Sequence, residues 1–156
     1  MGSPPGTDGK ATPARPPAER VARGRRRITL WILLAGALFA AFALGRQLAA
    51  WGDAEPGDGP ATARLLLVFW SPYLALAALT LWLGRRAPGA AAILLVTAIL
   101  MTAWGVYWHL DVLWLRPSVL SQILSPVLIV GNQWLAVLAG GVLAGLAGLV
   151  RRREAR

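Results

Sequence analysis

At 156 residues the chain has room for one domain, and 56 % apolar residues with a mean hydropathy of +0.55 exclude a conventional water-facing core. The absence of cysteine excludes disulfides, iron–sulfur clusters, thiolate metal sites and cysteine nucleophiles, and a single histidine, His109, excludes a multi-histidine metal site or bis-imidazole haem within one chain. A net charge of +9 would point to nucleic acid in a soluble protein, but here the basic residues sort around four long apolar stretches, so no nucleic acid and no cofactor is expected.

Residues 1–27 carry Pro4, Pro5, Pro13, Pro16 and Pro17 among small and charged residues without apolar periodicity, the composition of a disordered tail. The tail ends in Arg23, Arg25, Arg26 and Arg27, directly before the first apolar stretch, 28–45. That stretch resembles a secretory signal in layout, with small residues near Ala41 and Ala43. Its 18 uninterrupted residues nevertheless exceed the roughly 7–15 of a cleaved segment, and an uncleaved anchor is expected.

Gly45–Ala63, with Asp53, Glu55, Asp58, Pro56 and Pro60, reads as a polar external loop. The second stretch, 65–83, contains Ser71–Pro72, where a missing backbone donor predicts a kink. It stops at Gly84, Arg85 and Arg86, before Pro88 and Gly89, which predicts a tight turn joining spans two and three as an antiparallel hairpin. The third stretch, 90–110, ends in Trp104, Tyr107 and Trp108, with Trp114 beyond. Aromatic rings favour the headgroup level, so this cluster, like Trp31, Trp51, Trp70 and Trp82, reads as an interfacial belt; an aromatic cage for a cation is the sharper alternative. His109 and Asp111 lie two apart on different helix faces, an arrangement of a solvated or capping histidine rather than an acid–base pair.

Ser118–Val150 as one helix would reach roughly 50 Å against a hydrocarbon core of about 30 Å. A break is expected at Ser125–Pro126, with Ser as N-cap and Pro at the first helical position. On that reading 117–124 is a short external segment, 126–150 the fourth span, and 151–156 a basic tail.

The segments before the first span, between the second and third, and after the fourth hold 13 of the 16 Lys and Arg. With Asp8, Glu19 and Glu154 they carry +10, against −1 for the other two loops. Positive charge resists translocation, so Arg25, Arg26, Arg27, Arg85, Arg86, Arg151, Arg152 and Arg153 set the topology, with both termini cytoplasmic in a plasma membrane bearing anionic lipid. Abundant Ala, Gly, Leu, Pro and Arg beside one Lys suggest a GC-rich bacterial genome.

Two groups depart from a featureless apolar span. Ala136, Gly140, Ala144 and Gly148 recur every four residues, with Gly141 and Gly145 beside them, a ladder that lets another helix approach closely. Asn132 and Gln133 carry amides that cost several kcal/mol in hydrocarbon unless they face other helices or a wet cavity. With Ser71 and Tyr73 they form a candidate polar lining, the simpler reading being interhelical hydrogen bonding. Between their ends the four stretches contain no Asp, Glu, Lys, Arg or His, which disfavours proton-coupled transport, including that of four-helix multidrug antiporters. No phosphate-binding glycine loop, metal-ligand spacing or serine elbow is present. Both the second and fourth stretches contain Ser–Pro and finish in Arg–Arg, but the unequal spacing between these marks makes a repeat coincidental.

The sequence thus predicts an all-α integral membrane four-helix bundle that is not an enzyme. A structural or accessory subunit of a larger assembly, or a self-associating protein, is the expected role. The alternative is a small channel or uncoupled carrier for a neutral solute, built as a dimer around the polar lining.

Overall fold

The computed structural model describes residues 17–51, 59–111 and 119–154, which form helices α1 (Pro17–Trp51), α2 (Gly59–Trp82), α3 (Pro88–Leu110) and α4 (Val119–Glu154). Each contains a run long and apolar enough to cross a membrane: Pro17–Ala49, Thr62–Trp82, Pro88–Leu110 and Val127–Arg151. The chain is a multi-pass membrane protein. In hydrocarbon every unpaired backbone donor costs several kcal/mol, so an apolar segment that crosses it closes its hydrogen bonds within its own helix.

The helices stand at the corners of a square. α1 packs against α2 and α3, α4 packs against the same two, and α2 touches α3 only lightly across a diagonal. The tight turn between α2 and α3 is present, but the antiparallel hairpin it joins is not a packed pair. In the turn Arg86 N–H and Ala87 N–H both donate to the Leu83 carbonyl, at 2.9 and 3.3 Å. Pro88 at the first position of α3 then forces Ala87 into an extended conformation (φ −147°, ψ 130°), which ends the turn. The start of α1, this turn and the end of α4 meet around one cavity, so the helices alternate in direction and one end of the bundle is rich in arginine.

The outer faces are apolar, unlike those of a soluble protein, and the mainly apolar interior holds a few polar side chains. Leu100 and Leu135 are 63 % and 64 % exposed on the outer faces, whereas Tyr73, Thr80, His109 and Gln133 are buried inside. α3 buries Ala90, Leu94, Ala98, Met101, Gly105 and His109 along one stripe, and α1 answers with Leu33, Gly36, Ala40 and Ala43. Threonines inside the bundle satisfy themselves locally: the buried Thr29 and Thr80 and the half-buried Thr97 donate to the carbonyl four residues earlier at 2.8, 2.8 and 2.9 Å.

Three boundaries differ from expectation. α1 begins at Pro17, so the second part of the tail read as disordered, 17–27, is helical. Proline is favoured at a first helical position, Glu19 suits the positive end of the helix dipole, and Ala18, Ala22 and the arginines are good helix formers. The polar loop between the first two spans is also shorter, because α1 runs to Trp51 and α2 starts at Gly59. Finally, α4 is one helix of 36 residues that passes through position 126 without the expected break. A proline within a helix removes one hydrogen bond, whereas a fresh N-terminus leaves four donors unpaired near the lipid, and the single loss is the smaller cost. Residues 1–16 of the tail, the loop acids Asp53, Glu55 and Asp58, and Trp114, Arg116 and Pro117 lie outside the described residues, as do the side chains of Trp51 and Arg152.

Candidate functional site

Pro72 sits inside α2 and has no N–H for the Val68 carbonyl. The neighbouring hydroxyl replaces it: Ser71 Oγ donates to Val68 O at 2.7 Å. Trp134 Nε1 on α4 in turn donates to Ser71 Oγ at 3.1 Å, so the repair of α2 doubles as a link between the two helices. One residue away, Gln133 Nε2 donates to the Tyr73 hydroxyl at 2.9 Å, with both side chains buried. Trp70 Nε1 ties the opposite side of α2 to α1, donating to Ala37 O at 3.0 Å. Four residues of one helical turn, Trp70 to Tyr73, thus fasten α2 to both neighbours. Ser71→Ala should expose the Val68 carbonyl and free the indole, lowering stability by about 1 kcal/mol in a detergent unfolding titration; an unchanged midpoint would show that the hydroxyl repairs nothing.

Two glycines make room for this girdle. A Cβ on Gly105 would lie 2.7 Å from Gln133 Nε2 and 3.1 Å from the Tyr73 hydroxyl. A Cβ on Gly36 would lie 2.6 Å from Tyr73 Cε1 and 2.9 Å from Thr102 Cγ2. The absence of side chains at these points lets α1, α2, α3 and α4 converge on Tyr73. Sequence reasoning missed both glycines, although a lone glycine in the middle of an apolar span is the signal of a close approach.

Of the four residues proposed as a lining, the structure joins Tyr73 with Gln133 directly and Ser71 with Trp134, and separates Asn132 from them. Asn132 is exposed beside a cleft of about 320 Å³ between α3 and α4, where Leu100, Met101, Trp104, Gln133 and Ala136 complete the wall. Gln133 spans from that cleft to Tyr73, and its Oε1 is buried without a partner, as is Thr102 Oγ1.

His109 is not the solvated residue expected. It is 2 % exposed, its ring lying 6.0 Å from those of Phe39 on α1 and Phe69 on α2. Nδ1 is 2.6 Å from Gly105 O. A carbonyl only accepts, so Nδ1 carries the proton and Nε2, which has no partner, is left outside the hydrogen bonding. Asp111 follows at the end of α3, its backbone N–H bonded to Trp108 O and Tyr107 O. Trp104, Tyr107 and Trp108 pack ring against ring at 5.8–6.3 Å, an arrangement of mutual contact rather than of a cage around a ligand. Among the described residues no three His, Cys, Asp or Glu side chains gather where a metal ion could be held.

The small-residue ladder divides by face. Gly140 and Ala144 turn inward, where Gly140 accepts the Thr97 side chain of α3 and Ala144 is fully buried. Ala136 packs on the core, and Gly141 would place a Cβ 3.2 Å from Leu79 Cδ1 of α2. Gly145 and Gly148 have open space above them, on the side of a groove between α2 and α4. Of the topology arginines, Arg26, Arg85, Arg86 and Arg151 share one cavity, while Arg27 and Arg153 are exposed away from it and Arg25 is half-buried. No known family matches the chain, nor does any curated protein or solved structure.

Proposed function

We propose that this chain is a non-enzymatic structural or accessory subunit of a plasma-membrane assembly, oriented with both termini in the cytoplasm. The observation that supports this role is an apolar hollow of about 710 Å³ between α2 and α4, open toward the lipid and walled by Ala75, Ala78, Trp134, Leu138, Gly141 and Val142. α2 and α4 are the most loosely packed of the neighbouring pairs, while the bundle interior is closed by Leu76, Leu94 and Met101. A partner helix that fits small residues beneath it and a tryptophan beside it gains close van der Waals contact, the main source of helix association in lipid. Blue-native electrophoresis of the gently solubilised protein should show an assembly larger than a monomer. Ala78→Trp, which fills the hollow, should reduce that species several-fold; a solitary monomer for the unmodified chain would refute the role.

A second reading is kept by one observation, the unpartnered Gln133 Oε1 at the α3–α4 cleft beside Asn132. A neutral solute able to donate a hydrogen bond would be held there, as in an uncoupled carrier. Flux in proteoliposomes that falls in Asn132→Leu and Gln133→Leu supports it, and wild-type flux in both removes it.

A further inference from the structure

At the arginine end, the first turns of α1, the α2–α3 turn and the end of α4 enclose a cavity of about 500 Å³. This lies within the roughly 300–1,000 Å³ of small-ligand sites. Arg23, Arg26, Arg85, Arg86 and Arg151 line it, against the single carboxylate of Glu19. Guanidinium groups do not deprotonate in proteins, so five of them cannot relieve their mutual repulsion by losing protons; an anion among them does.

The cavity is built rather than incidental. Gly84 is buried, and a Cβ there would meet the Arg26 Cγ and Cδ at 3.1 Å, so the bare turn is what admits the Arg26 stem. The Arg26 Nε is buried with no hydrogen-bond partner. Arg86 is held with its guanidinium carbon 4.4 Å from the centre of the Trp82 ring, a cation–π contact that orients its fork. Planar forks of this kind match the oxygens of a phosphate group in pairs.

Arg86 also belongs to a second, apolar space. A groove of about 320 Å³ runs along α2 and α4 away from it, floored by Gly145 and Gly148 and walled by Leu79, Trp82 and Leu149. A basic cavity and an apolar groove that share one arginine at a membrane surface match an amphiphile with an anionic head. We propose that this end of the bundle binds one anionic phospholipid, its phosphate among the five arginines and an acyl chain over Gly145 and Gly148. The site needs only the membrane bundle; its apolar groove adjoins the hollow proposed for a protein partner, the two sharing Leu79, Trp82 and Gly141, whereas the arginine cavity is lined by none of the hollow's residues.

The test uses the full chain in dodecyl maltoside micelles doped with equal dioleoyl phosphatidylglycerol and dioleoyl phosphatidylcholine, with bound lipid counted by native mass spectrometry. One phosphatidylglycerol should be retained over phosphatidylcholine by about tenfold or more. The double variant Arg26→Gln/Arg86→Gln should lose that preference, whereas Arg27→Gln/Arg153→Gln, which removes equal charge outside the cavity, should keep it. Filling the groove with Gly145→Leu/Gly148→Leu should lower retention with every arginine in place. The proposal is overturned by equal retention of the two lipids in the unmodified chain, a comparison that requires no variant to fold. It is also overturned by equal loss in both arginine pairs, which would mean diffuse surface charge, or by inorganic pyrophosphate displacing the lipid and binding undiminished in the groove-filled variant, which would assign the cavity to a soluble phosphate.

Discussion

Replacing Gly36 by leucine should strongly destabilise the bundle. The first added carbon alone would stand 2.6 Å from a ring atom of Tyr73 and 2.9 Å from Thr102, contacts on two different helices. The Tyr73 ring is buried and cannot swing aside, so α1 must withdraw from α2 and α3 together. α1 and α3 form the most extensive interface of the bundle, and its loss cannot be confined locally. Overpacking of this kind costs about 1–3 kcal/mol in ordinary cores, and leucine at a backbone-tight crossing belongs at or above the upper end of that range. The matched control is Gly45→Leu, on the same helix with nothing within 4 Å, which should change stability by less than about 0.5 kcal/mol. Unfolding titrations with sodium dodecyl sulfate compare the two, and equal midpoints would remove the close crossing from the structure.

Gln133→Leu should cost about 1–3 kcal/mol, because it removes the donor to the Tyr73 hydroxyl and leaves that oxygen buried in a dry interior. Tyr73→Phe should cost a similar amount by stranding the amide. The double variant strands neither group at the contact, so its cost should fall short of the sum by roughly 0.6–1.7 kcal/mol, the range of interhelical hydrogen bonds in membranes. Strict additivity in this double-mutant cycle would mean that the two side chains share no hydrogen bond.

Span number and the grouping of arginines at one end were legible in the sequence, because apolar length and charge placement are properties of the chain read in one dimension. Rotation about a helix axis is not. Gln133 and Asn132 differ by about 100° around α4, and which of them meets Tyr73 depends on the phase of the helix. That phase was partly written in the spacing: Gln133, Val137, Gly140 and Ala144 form one buried stripe, separated by four, three and four residues. The strict period of four through Ala136, Gly140, Ala144 and Gly148 drifts off it, which is why Gly148 ends in open space. His109 was likewise legible as a member of the α3 stripe, four residues beyond Gly105, but its type suggested a wet interface. The helical start at Pro17 and the unbroken α4 were hidden by proline, whose meaning depends on position: a start signal at 17, and at 126 a local cost that the rest of the helix outweighs.

The membrane-embedded bundle with an inward arginine end is tested most directly by single cysteines in a chain that has none of its own. Gly24 and Gly59 are exposed near opposite ends, and Val142 is 62 % exposed on the lipid face of α4. A membrane-impermeant maleimide should label Gly59→Cys in intact cells, Gly24→Cys only after lysis, and Val142→Cys only after the membrane is dissolved. Labelling of Gly24→Cys in intact cells, or of Val142→Cys while the membrane remains whole, would contradict it.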